Sequence, residues 1–526
     1  MEALKSAAAA AGATAPGPAG ALVFVGFMGA GKSSSARSVA AELGVRPLDS
    51  DRELEARLGE PIEAFFDREG EPAFRAREEE VVLDLLARAR EGGVVALGGG
   101  ACASARVRDA LDSHTVVLLE VEAAEAWRRA TGRGRPLARD RGRFDQLHAD
   151  RHALYESVAD AILPPAGRDA TRRVLPALIA LRDARAQGAG GMRLVWARAR
   201  SGDYPVFVGR GLIGGGFVYP ADCRVFVVTD PNVAAHHRLA AEETLTITAG
   251  EEAKVLSNAE AVLRRLAHAG AERGDVLAAV GGGVVGDLAG FCAAVYQRGM
   301  RHVQVPTTLV AQVDSAYGGK TGVDLPEGKN YVGVYHQPSA VLCDPDALDT
   351  LPDEELAAGY AEVVKTALIQ GGALWSRVRK GGPVGEEDVL GCLRCKLEVV
   401  AEDERDGGRR QVLNLGHTVA HAIETATGYS RYRHGEAVGI GLLCALRLSG
   451  RETLRTEVAG LLQARGLPLS FEGATAEDVA TLCHRDKKRK HGRVPFVLVE
   501  APGSVTPGHH VAPGELLAVI EEAHAG

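Results

Sequence analysis

Residues 26–33 carry the phosphate-binding sequence G-x-x-x-x-G-K-S, directly after an apolar run at 21–25. In such a loop, backbone N–H groups and the N-terminus of the next helix face the phosphates of a nucleotide. Lys32 would reach the β- and γ-phosphates, and the hydroxyl of Ser33 would hold Mg²⁺. A plain glycine-rich turn is the alternative, but the alanine-rich helical stretch that follows favours nucleotide binding. The predicted nucleotide contacts are Gly29, Ala30, Gly31, Lys32, Ser33 and Ser34.

Three further features accompany this loop in the first third of the chain. Asp49-Ser50-Asp51 follows a short strand-like run, and we expect its two carboxylates to point the same way, one toward Mg²⁺ and one toward a substrate hydroxyl. Gly98-Gly99-Gly100 ends another strand-like run, where the main chain can approach a ligand closely. Arginines are suited to carboxylates and phosphates because their planar fork donates two hydrogen bonds. The candidates are Arg75, Arg135 and Arg151.

A second set of chemistry lies in the rest of the chain. A strand-like run at 276–280 leads into Gly281-Gly282-Gly283, and glycines at a strand-to-helix turn suit a dinucleotide pyrophosphate. This is not the G-x-G-x-x-G fingerprint, so it is a weak signal by itself. Asp230 ends another strand-like run, where a carboxylate can bind ribose hydroxyls. Polar residues crowd the segment 307–330, which is costly unless a ligand or solvent satisfies them.

Metal-ligand residue types lie toward the C-terminus. His417 and His421 are four residues apart and share one helix face. Glu362, His417 and His434 could form a His₂Glu zinc site that leaves positions for substrate. Any single histidine is more often a capping or core residue, but three ligand types in this setting favour a metal.

The elements that must hold these residues follow from periodicity. Strand-like runs alternate with helical patterns in the first third and predict a parallel sheet with crossover helices. A new series of strand-like runs begins after Met192, and amphipathic helical patterns such as 354–369 and 412–427 follow Pro352. We predict an α/β fold: a P-loop kinase domain with a parallel sheet, then a Rossmann-like NAD-binding α/β domain, then a mostly α-helical metal-binding domain. The predicted segments are a disordered tail at 1–20, the kinase at 21–165, and the last two domains at 192–351 and 352–526. Residues 166–191 are predicted to be a helical spacer or a last helix of the first domain.

Bulk composition limits the classes of protein. The chain has 526 residues, 46% of them hydrophobic and 25% charged, with a net charge of −8. This charge disfavours nucleic acid or an anionic membrane as a partner. The longest apolar candidate, 437–448, is too short for a membrane span and predicts a buried helix. Eight scattered cysteines favour a reducing cytoplasm over a disulfide framework, and Cys392 and Cys395 are interpreted as packing residues.

Over roughly residues 21–165 the ordered set of motifs resembles shikimate kinases. The resemblance implies that Asp51 binds the hydroxyls of shikimate, that Arg75 and Arg151 hold its carboxylate, and that the triple glycine lines the site. It also implies that Arg135 assists the phosphates, and Asp49 joins Ser33 as a Mg²⁺ ligand. The expected reaction is ATP-dependent phosphorylation of shikimate to shikimate 3-phosphate, which needs positioning and charge neutralisation. Another small-metabolite kinase, for gluconate or a nucleoside, is the alternative, which the carboxylate-binding set disfavours.

Over roughly residues 192–526 the chain resembles 3-dehydroquinate synthases. The resemblance implies that Glu362, His417 and His434 bind Zn²⁺ or Co²⁺, and that Asp314 and His421 handle protons. The implied substrate contacts are Lys320, Asn330, Lys365, Lys396, Arg410, Asn414 and His421, with Arg298 and one of Lys487 or Lys488 at the phosphate. The implied NAD⁺ contacts are Asp230, Asn232, Glu251, Lys254, Gly282, Gly283, Val284, Asp287, Thr307, Thr308, Lys320 and Lys329.

The implied reaction is cyclisation of 3-deoxy-D-arabino-heptulosonate 7-phosphate to 3-dehydroquinate with release of phosphate, in which NAD⁺ is recycled. The family usually dimerises through this part, so we expect a homodimer that acts on small anionic substrates. A metal-dependent alcohol or glycerol dehydrogenase, another sugar-phosphate cyclase, and a retained non-enzymatic module are the alternatives. A plain dehydrogenase would leave the cationic residues without a role.

Overall fold

The computed structural model describes residues 19–131, 136–165, 168–215, 217, 219–220, 223–484 and 495–525. The chain forms two compact units: one comprises residues up to Trp196 with Pro205–Gly209, and the other comprises Ala197–Tyr204 with Arg210–Gly526. Several predicted features lie outside the described residues: positions 1–18 of the tail, Arg135, Lys487 and Lys488.

The first unit is built on a mainly parallel sheet. Its order is β2-β3-β1-β4-β5-β6-β7, with parallel pairing from β2 through β6. Strand β1 lies inside the sheet and is buried along its whole length, as expected of an apolar run covered on both faces. The strands are β1 (Leu22–Val25), β2 (Pro47–Asp49), β3 (Val94–Ala96), β4 (Thr115–Leu119), β5 (Ala161–Leu163), β6 (Arg193–Ala197) and β7 (Tyr204–Val208).

Helices follow most of these strands in sequence. The helices are α1 (Lys32–Leu43), α2 (Ser50–Leu58), α3 (Ile62–Arg88), α4 (Ala105–Leu111), α5 (Ala123–Ala130), α6 (Arg141–Val158) and α7 (Arg168–Ala186). Helix α7 occupies most of the predicted spacer, and it packs on α1 within the first unit. Its residues Val174, Ala177 and Leu178 are at most 1% exposed, and the hydroxyls of Ser35 and Thr171 are 3.3 Å apart.

The second unit contains a doubly wound parallel sheet in the order β14-β11-β10-β8-β9. The chain order reverses between β8 and β10, so the crevice beyond their carboxyl ends is the expected ligand site of such a sheet. The strands are β8 (Val225–Thr229), β9 (Glu243–Thr246), β10 (Val276–Gly281), β11 (Arg301–Pro306) and β14 (Ala340–Cys343), with a hairpin of β12 (Lys320–Leu325) and β13 (Gly328–Tyr335). The helices here are α8 (Pro231–His236), α9 (Leu256–His268) and α10 (Gly283–Val295).

The rest of the second unit is mostly helical. Its elements are α11 (Asp353–Gln370), α12 (Gly372–Val378), α13 (Glu386–Glu402), α14 (His417–Ala426), α15 (His434–Leu448), α16 (Glu452–Gln463), α17 (Ala476–His484), β15 (Phe496–Ala501), β16 (Ser504–His509) and α18 (Pro513–Ala523). Among the described residues, every helix is too short or too polar to cross a membrane.

The predicted helix over 412–427 is wrong in its first part. A 3₁₀ turn occupies Arg409–Asn414, and α14 begins only at His417. Gly416 breaks the helix with a φ of 79°, a left-handed conformation that favours glycine. A Cβ atom at this position would lie 2.9 Å from the backbone nitrogen of Leu442, so the close approach of α15 also requires a glycine.

Candidate active sites

The phosphate loop connects β1 to α1. Gly29 and Gly31 have φ values of 86° and 97°, which only glycine adopts without strain. The Lys32 ammonium donates to the backbone carbonyls of Gly26 at 2.8 Å and Phe27 at 3.1 Å, so it lies over the loop. Among the described residues no side chain caps the N-terminus of α1, so this helix end faces the loop as an anion site.

The predicted substrate residues lie around the triple glycine, next to this loop. A methyl group at Gly100 would overlap the guanidinium of Arg75, and a Cβ atom at Gly98 would lie 2.5 Å from the Asp51 carboxylate. Arg151 donates to the Gly99 carbonyl at 2.9 Å. A Cβ atom at Gly99 would lie 3.5 Å from the backbone nitrogen of Met28, within the phosphate loop. Two arginines and a carboxylate thus surround main chain that lies against the nucleotide loop.

Glu78 is a residue of this pocket that the sequence analysis missed. It is 5% exposed and accepts a hydrogen bond of 2.5 Å from Arg75, three residues earlier on α3. Burial raises the pKa of Glu78, although the charge of Arg75 opposes this rise. In sequence it belongs to a run of glutamates that resembles a solvated helix face, and the i,i+3 spacing from Arg75 was the available signal.

The two aspartates are not held in the way predicted. β2 ends at Asp49 and α2 begins at Ser50, so the alternation of a strand does not orient Asp49 and Asp51. Asp49 instead caps α2 by accepting from the Arg52 N–H at 3.3 Å. The buried Ser50, which was not predicted, accepts from the Gly98 N–H at 2.7 Å and ties α2 to the glycine segment.

The predicted NAD⁺ residues of the second unit lie at one edge of its sheet. Asp230, Gly282 and Thr307 directly follow β8, β10 and β11, which run parallel. Asp230 accepts from the N–H groups of Asn232 and Val233 through one oxygen, at 2.9 and 3.1 Å. The hydroxyls of Thr229 and Thr307 are buried at this edge and have no hydrogen-bond partner among the described residues. Unsatisfied hydroxyls beside an uncapped helix N-terminus fit a polar dinucleotide.

Other predicted cofactor residues pair with one another. The nearly buried Lys254 donates to Asp287 at 2.5 Å and lies 4.0 Å from Glu251. Burial lowers the pKa of Lys254, but Asp287 and Glu251 outweigh burial and raise it overall. Lys329 lies 3.8 Å from Glu251 and 3.3 Å from Glu424. These charged residues extend from Asp287 on α10 to Glu424 on α14, the helix that begins at His417.

The predicted metal ligands do converge. His417 Nε2 and His434 Nε2 lie 3.5 and 3.4 Å from the same oxygen of Glu362, and all three ligand atoms fit within 4.8 Å. Glu362 projects from α11, while His417 and His434 are the first residues of α14 and α15. His417 Nδ1 is 3.1 Å from the Leu415 carbonyl, and this contact favours the tautomer with the proton on Nδ1 and a free lone pair on Nε2. A buried carboxylate with two imidazoles is a donor set that fits Zn²⁺ or Co²⁺.

Two of the three candidate ligands, Glu362 and His417, already have the protonation state that binds a metal ion. Burial alone would raise the pKa of Glu362, but Lys365 and the histidines lower it to about 2. Burial and then Lys365 lower the pKa of His417 to about 3, so its imidazole is neutral. Burial lowers the pKa of His434, yet its contacts with Glu362 and Glu424 raise it to about 10. Metal binding would therefore release a proton from His434.

Two buried lysines beside this centre both bind the carboxylate of Asp314. Lys365 donates to Asp314 at 2.8 Å and also pairs with Glu362. Lys396 donates to the Asp314 carbonyl at 2.6 Å and contacts its carboxylate. Burial would raise the pKa of Asp314, but the two lysines hold it well below its usual range. Burial lowers the pKa of Lys396 to about 8.

The remaining predicted substrate residues differ in their surroundings. The half-exposed Lys320 pairs with Asp406 at 2.6 Å. Arg410 is 2% exposed, and its guanidinium donates to the carbonyls of Gly318 and Glu404, so the structure uses it to hold main chain. The ring of His421 is 5.5 Å from that of His417 and 6.1 Å from that of His434. The side-chain amide of Asn414 donates to Gln411, and the backbone N–H of Asn330 donates to Asp324.

The structure does not bring Arg298 together with these residues. It is exposed, in the connection between α10 and β11, with a φ of 66°. Since β11 extends for about 17 Å at 3.3 Å per residue, Arg298 lies at the far end of the strand from Thr307. The family resemblance implied Arg298, but α10 runs back along the sheet and places this residue at the other end of the strands.

These two arrangements define the class of protein: a P-loop kinase unit followed by a doubly wound, dinucleotide-binding metalloenzyme unit. Comparison with known proteins then identifies the family. The family model for the N-terminal part of 3-dehydroquinate synthase matches residues 244–358, and that for its C-terminal part matches 359–489. The family model for shikimate kinase matches residues 28–179.

Curated relatives agree with the family models. 3-Dehydroquinate synthase from Acidithiobacillus ferrooxidans is 42% identical over 352 residues, which cover 61% of this chain and 97% of the relative. The enzyme from Caulobacter vibrioides is 43% identical over 333 residues, covering 57% and 90%. The chain therefore belongs to the 3-dehydroquinate synthase family, with a shikimate kinase domain in the same polypeptide.

A solved structure supports the fold of the second unit. ValA, a 2-epi-5-epi-valiolone synthase from Streptomyces hygroscopicus with NAD⁺ and Zn²⁺ bound, is 25% identical and has a TM-score of 0.56. The match covers 62% of this chain and 98% of that one. The predicted families and the predicted fold class are confirmed.

Proposed function

We propose that this chain catalyses two reactions of one biosynthetic route: ATP-dependent phosphorylation of shikimate, and NAD⁺- and metal-dependent conversion of 3-deoxy-D-arabino-heptulosonate 7-phosphate to 3-dehydroquinate. The observation that carries the second activity is the convergence of Glu362, His417 and His434 beside two buried lysines. The first activity is supported by the group of Asp51, Arg75 and Arg151 against the phosphate loop.

In the kinase reaction, the chain's residues position two anions. Lys32 and the N-terminus of α1 would neutralise the phosphates of ATP, and Ser33 with Asp49 would hold Mg²⁺. Arg75 and Arg151 would grip the carboxylate of shikimate, with Glu78 fixing the direction of the Arg75 fork. Asp51 would then orient the attacking hydroxyl toward the γ-phosphate.

In the synthase reaction, bound NAD⁺ would accept and return a hydride, and the metal held by Glu362, His417 and His434 would polarise the reacting oxygens. Lys365 and Lys396 would bind the anionic groups of the substrate, and Asp314 would keep the two ammonium groups aimed at one point. His421 has an imidazole near both metal-ligating histidines and is the proposed proton carrier. The hydroxyls of Thr229 and Thr307 would form hydrogen bonds with the dinucleotide at this edge of the sheet.

The proposal extends to the setting of the enzyme. The described residues include all eight cysteines and contain no disulfide, which supports a reducing compartment such as the cytoplasm. The proposed partners are small anionic substrates, without nucleic acid or membrane, in line with the net charge of −8. We also propose a homodimer formed through the synthase part.

Two single substitutions test the division of labour. Lys32→Ala should lower the phosphorylation of shikimate by about 100-fold or more, while phosphate release from the heptulosonate phosphate stays within about twofold. His417→Ala should give the reverse result, because its imidazole serves only the second site. Each activity is measured on the full-length chain loaded with Zn²⁺, with catalytic NAD⁺ or with Mg-ATP. Loss of both activities from either substitution would contradict two independent sites.

A further inference from the structure

The carboxylate of Glu424 is buried beside the metal centre, and the proposed function leaves it without a role. It lies on α14 and its side chain is only 3% exposed. One of its oxygens is 3.5 Å from His434 Nδ1 and 3.3 Å from the ammonium of Lys329. A buried carboxylate between a metal-ligating imidazole and a lysine calls for a physical explanation.

The two nitrogens of His434 face two different carboxylates. Nε2 lies 3.4 Å from Glu362, and Nδ1 lies 3.5 Å from Glu424. The two ring nitrogens of an imidazole point in divergent directions, so an ion on Nε2 beside Glu362 and His417 lies on the far side of the ring from Glu424. A carboxylate that holds the second nitrogen of a metal-bound histidine fixes the tautomer and strengthens the ligand.

An alternative is that Glu424 is itself a ligand, because His421, Glu424 and His434 also bring ligand atoms within 4.8 Å of one another. The Glu362 group is favoured because Glu424 is already neutralised by Lys329, whose ammonium also stacks over the Tyr429 ring at 4.8 Å. His417, moreover, has its Nδ1 fixed by the Leu415 carbonyl, and this leaves Nε2 for the ion.

Resting on the proposed function, we infer that Glu424 is a positioning residue of the metal centre: it orients His434 from behind, and Lys329 anchors it. Because Lys329 also lies 3.8 Å from Glu251, this carboxylate joins the metal ligands to the chain of charges at the cofactor crevice. Lys329 and Glu251 are NAD⁺ contacts by the family resemblance, whereas Glu424 has no role implied by it.

The test compares Glu424→Gln with Glu251→Gln in the full-length protein. The two glutamates share the partner Lys329, but only Glu424 reaches His434, so the second variant controls for loss of a negative charge beside Lys329. The affinity of each metal-free protein for Co²⁺ is measured by competition with a chelator, together with the visible absorption of bound Co²⁺. Glu424→Gln should weaken Co²⁺ binding by about 10- to 100-fold. Glu251→Gln should stay within about twofold of the wild type.

The Co²⁺ spectrum separates positioning from ligation. If Glu424 only orients His434, the band positions of saturated Glu424→Gln stay those of a site with the same ligands, and affinity alone falls. A changed coordination spectrum would overturn positioning in favour of direct ligation. Wild-type affinity in Glu424→Gln would also overturn the inference. Should Glu424→Gln fold poorly, Glu424→Asp, which withdraws the carboxylate by one methylene, must show the same weakening. Failure of the wild type itself to bind Co²⁺ would instead refute the proposed function.

Discussion

His302 offers a quantitative prediction about the second unit. It lies on β11 and is 1% exposed, and within the part of the chain that the structure describes neither ring nitrogen has a hydrogen-bond partner. Its Nε2 is 3.6 Å from the position that a Cβ atom at Gly290 would occupy, so the ring packs against the backbone of α10. The facing titratable group is His336, whose ring stacks on it at 5.0 Å. Burial, and then His336, lower the pKa of His302 from 6.5 to about 3.

A histidine with a depressed folded-state pKa destabilises the fold as the solution becomes acidic. Above pH 6.5 the imidazole is neutral in both the folded and the unfolded chain, and it costs nothing by this mechanism. As the pH falls from 6.5 toward 3, the unfolded chain takes up a proton that the folded chain refuses. At pH 5 this difference lowers the free energy of unfolding by about 2 kcal/mol, at about 1.4 kcal/mol for each pH unit below 6.5.

The substitution His302→Phe removes this proton uptake and keeps a ring against His336. The stability difference between variant and wild type should therefore grow by about 2 kcal/mol in favour of the variant between pH 8 and pH 5. This change with pH does not depend on how well the larger ring fits, because the packing cost is the same at both pH values. Urea unfolding by circular dichroism, with hydrogen exchange of β11 peptides to identify the second unit, measures it. His268→Phe, at the exposed end of α9, is the matched control.

A difference that stays constant from pH 8 to pH 5 would refute the reasoning. It would mean that the imidazole of His302 gains its proton without penalty in the folded state, and hence that water or an acceptor reaches it.

Two further predictions concern the separate sites. Removal of divalent metal with a chelator should abolish the cyclisation, and added Zn²⁺ or Co²⁺ should restore it. The kinase activity should need only Mg²⁺. Cyclisation that survives chelation would exclude the Glu362 centre from the reaction. Gly100→Ala should lower kcat/KM for shikimate by about 100-fold with little change in the KM for ATP, because the added methyl displaces the Arg75 guanidinium. Gly142→Ala, where the nearest atom would be 3.5 Å away, is the matched control, and equal kinetics in the two variants would contradict the role of the glycine.

The sequence predicted the features that depend on local pattern. The strand before the phosphate loop and the glycine turn after β10 rest on residue type and spacing within one or two elements. Glu362, His417 and His434 lie on three helices, and their choice rested on residue type together with the family resemblance. Parallel strands bring their carboxyl ends to one edge, so the placement of Asp230 near Gly282 also followed from the fold class.

What the sequence did not predict depends on contacts between distant elements. Glu78 belongs to a run of charged residues and Glu424 to an amphipathic helix, and only the tertiary packing shows that both carboxylates are buried against charged partners. Arg410 belongs to a family motif, yet its guanidinium is used on backbone carbonyls. The misplacement of Arg298 has the same origin: a helix of 13 residues lies between it and the glycine turn and carries it to the opposite edge of the sheet.

The burial of α7 has a consequence for dividing the polypeptide into separately expressed enzymes. A cut at residue 165, where the kinase motifs end, would remove the buried side chains of Val174, Ala177 and Leu178 from the first unit. It would also remove β6, which pairs with β5. The apolar surface exposed by this cut would promote aggregation of the truncated kinase unit. A fragment that begins at Met192 would carry away most of β6 and β7, whose residues up to Trp196 and Pro205–Gly209 belong to the first compact unit.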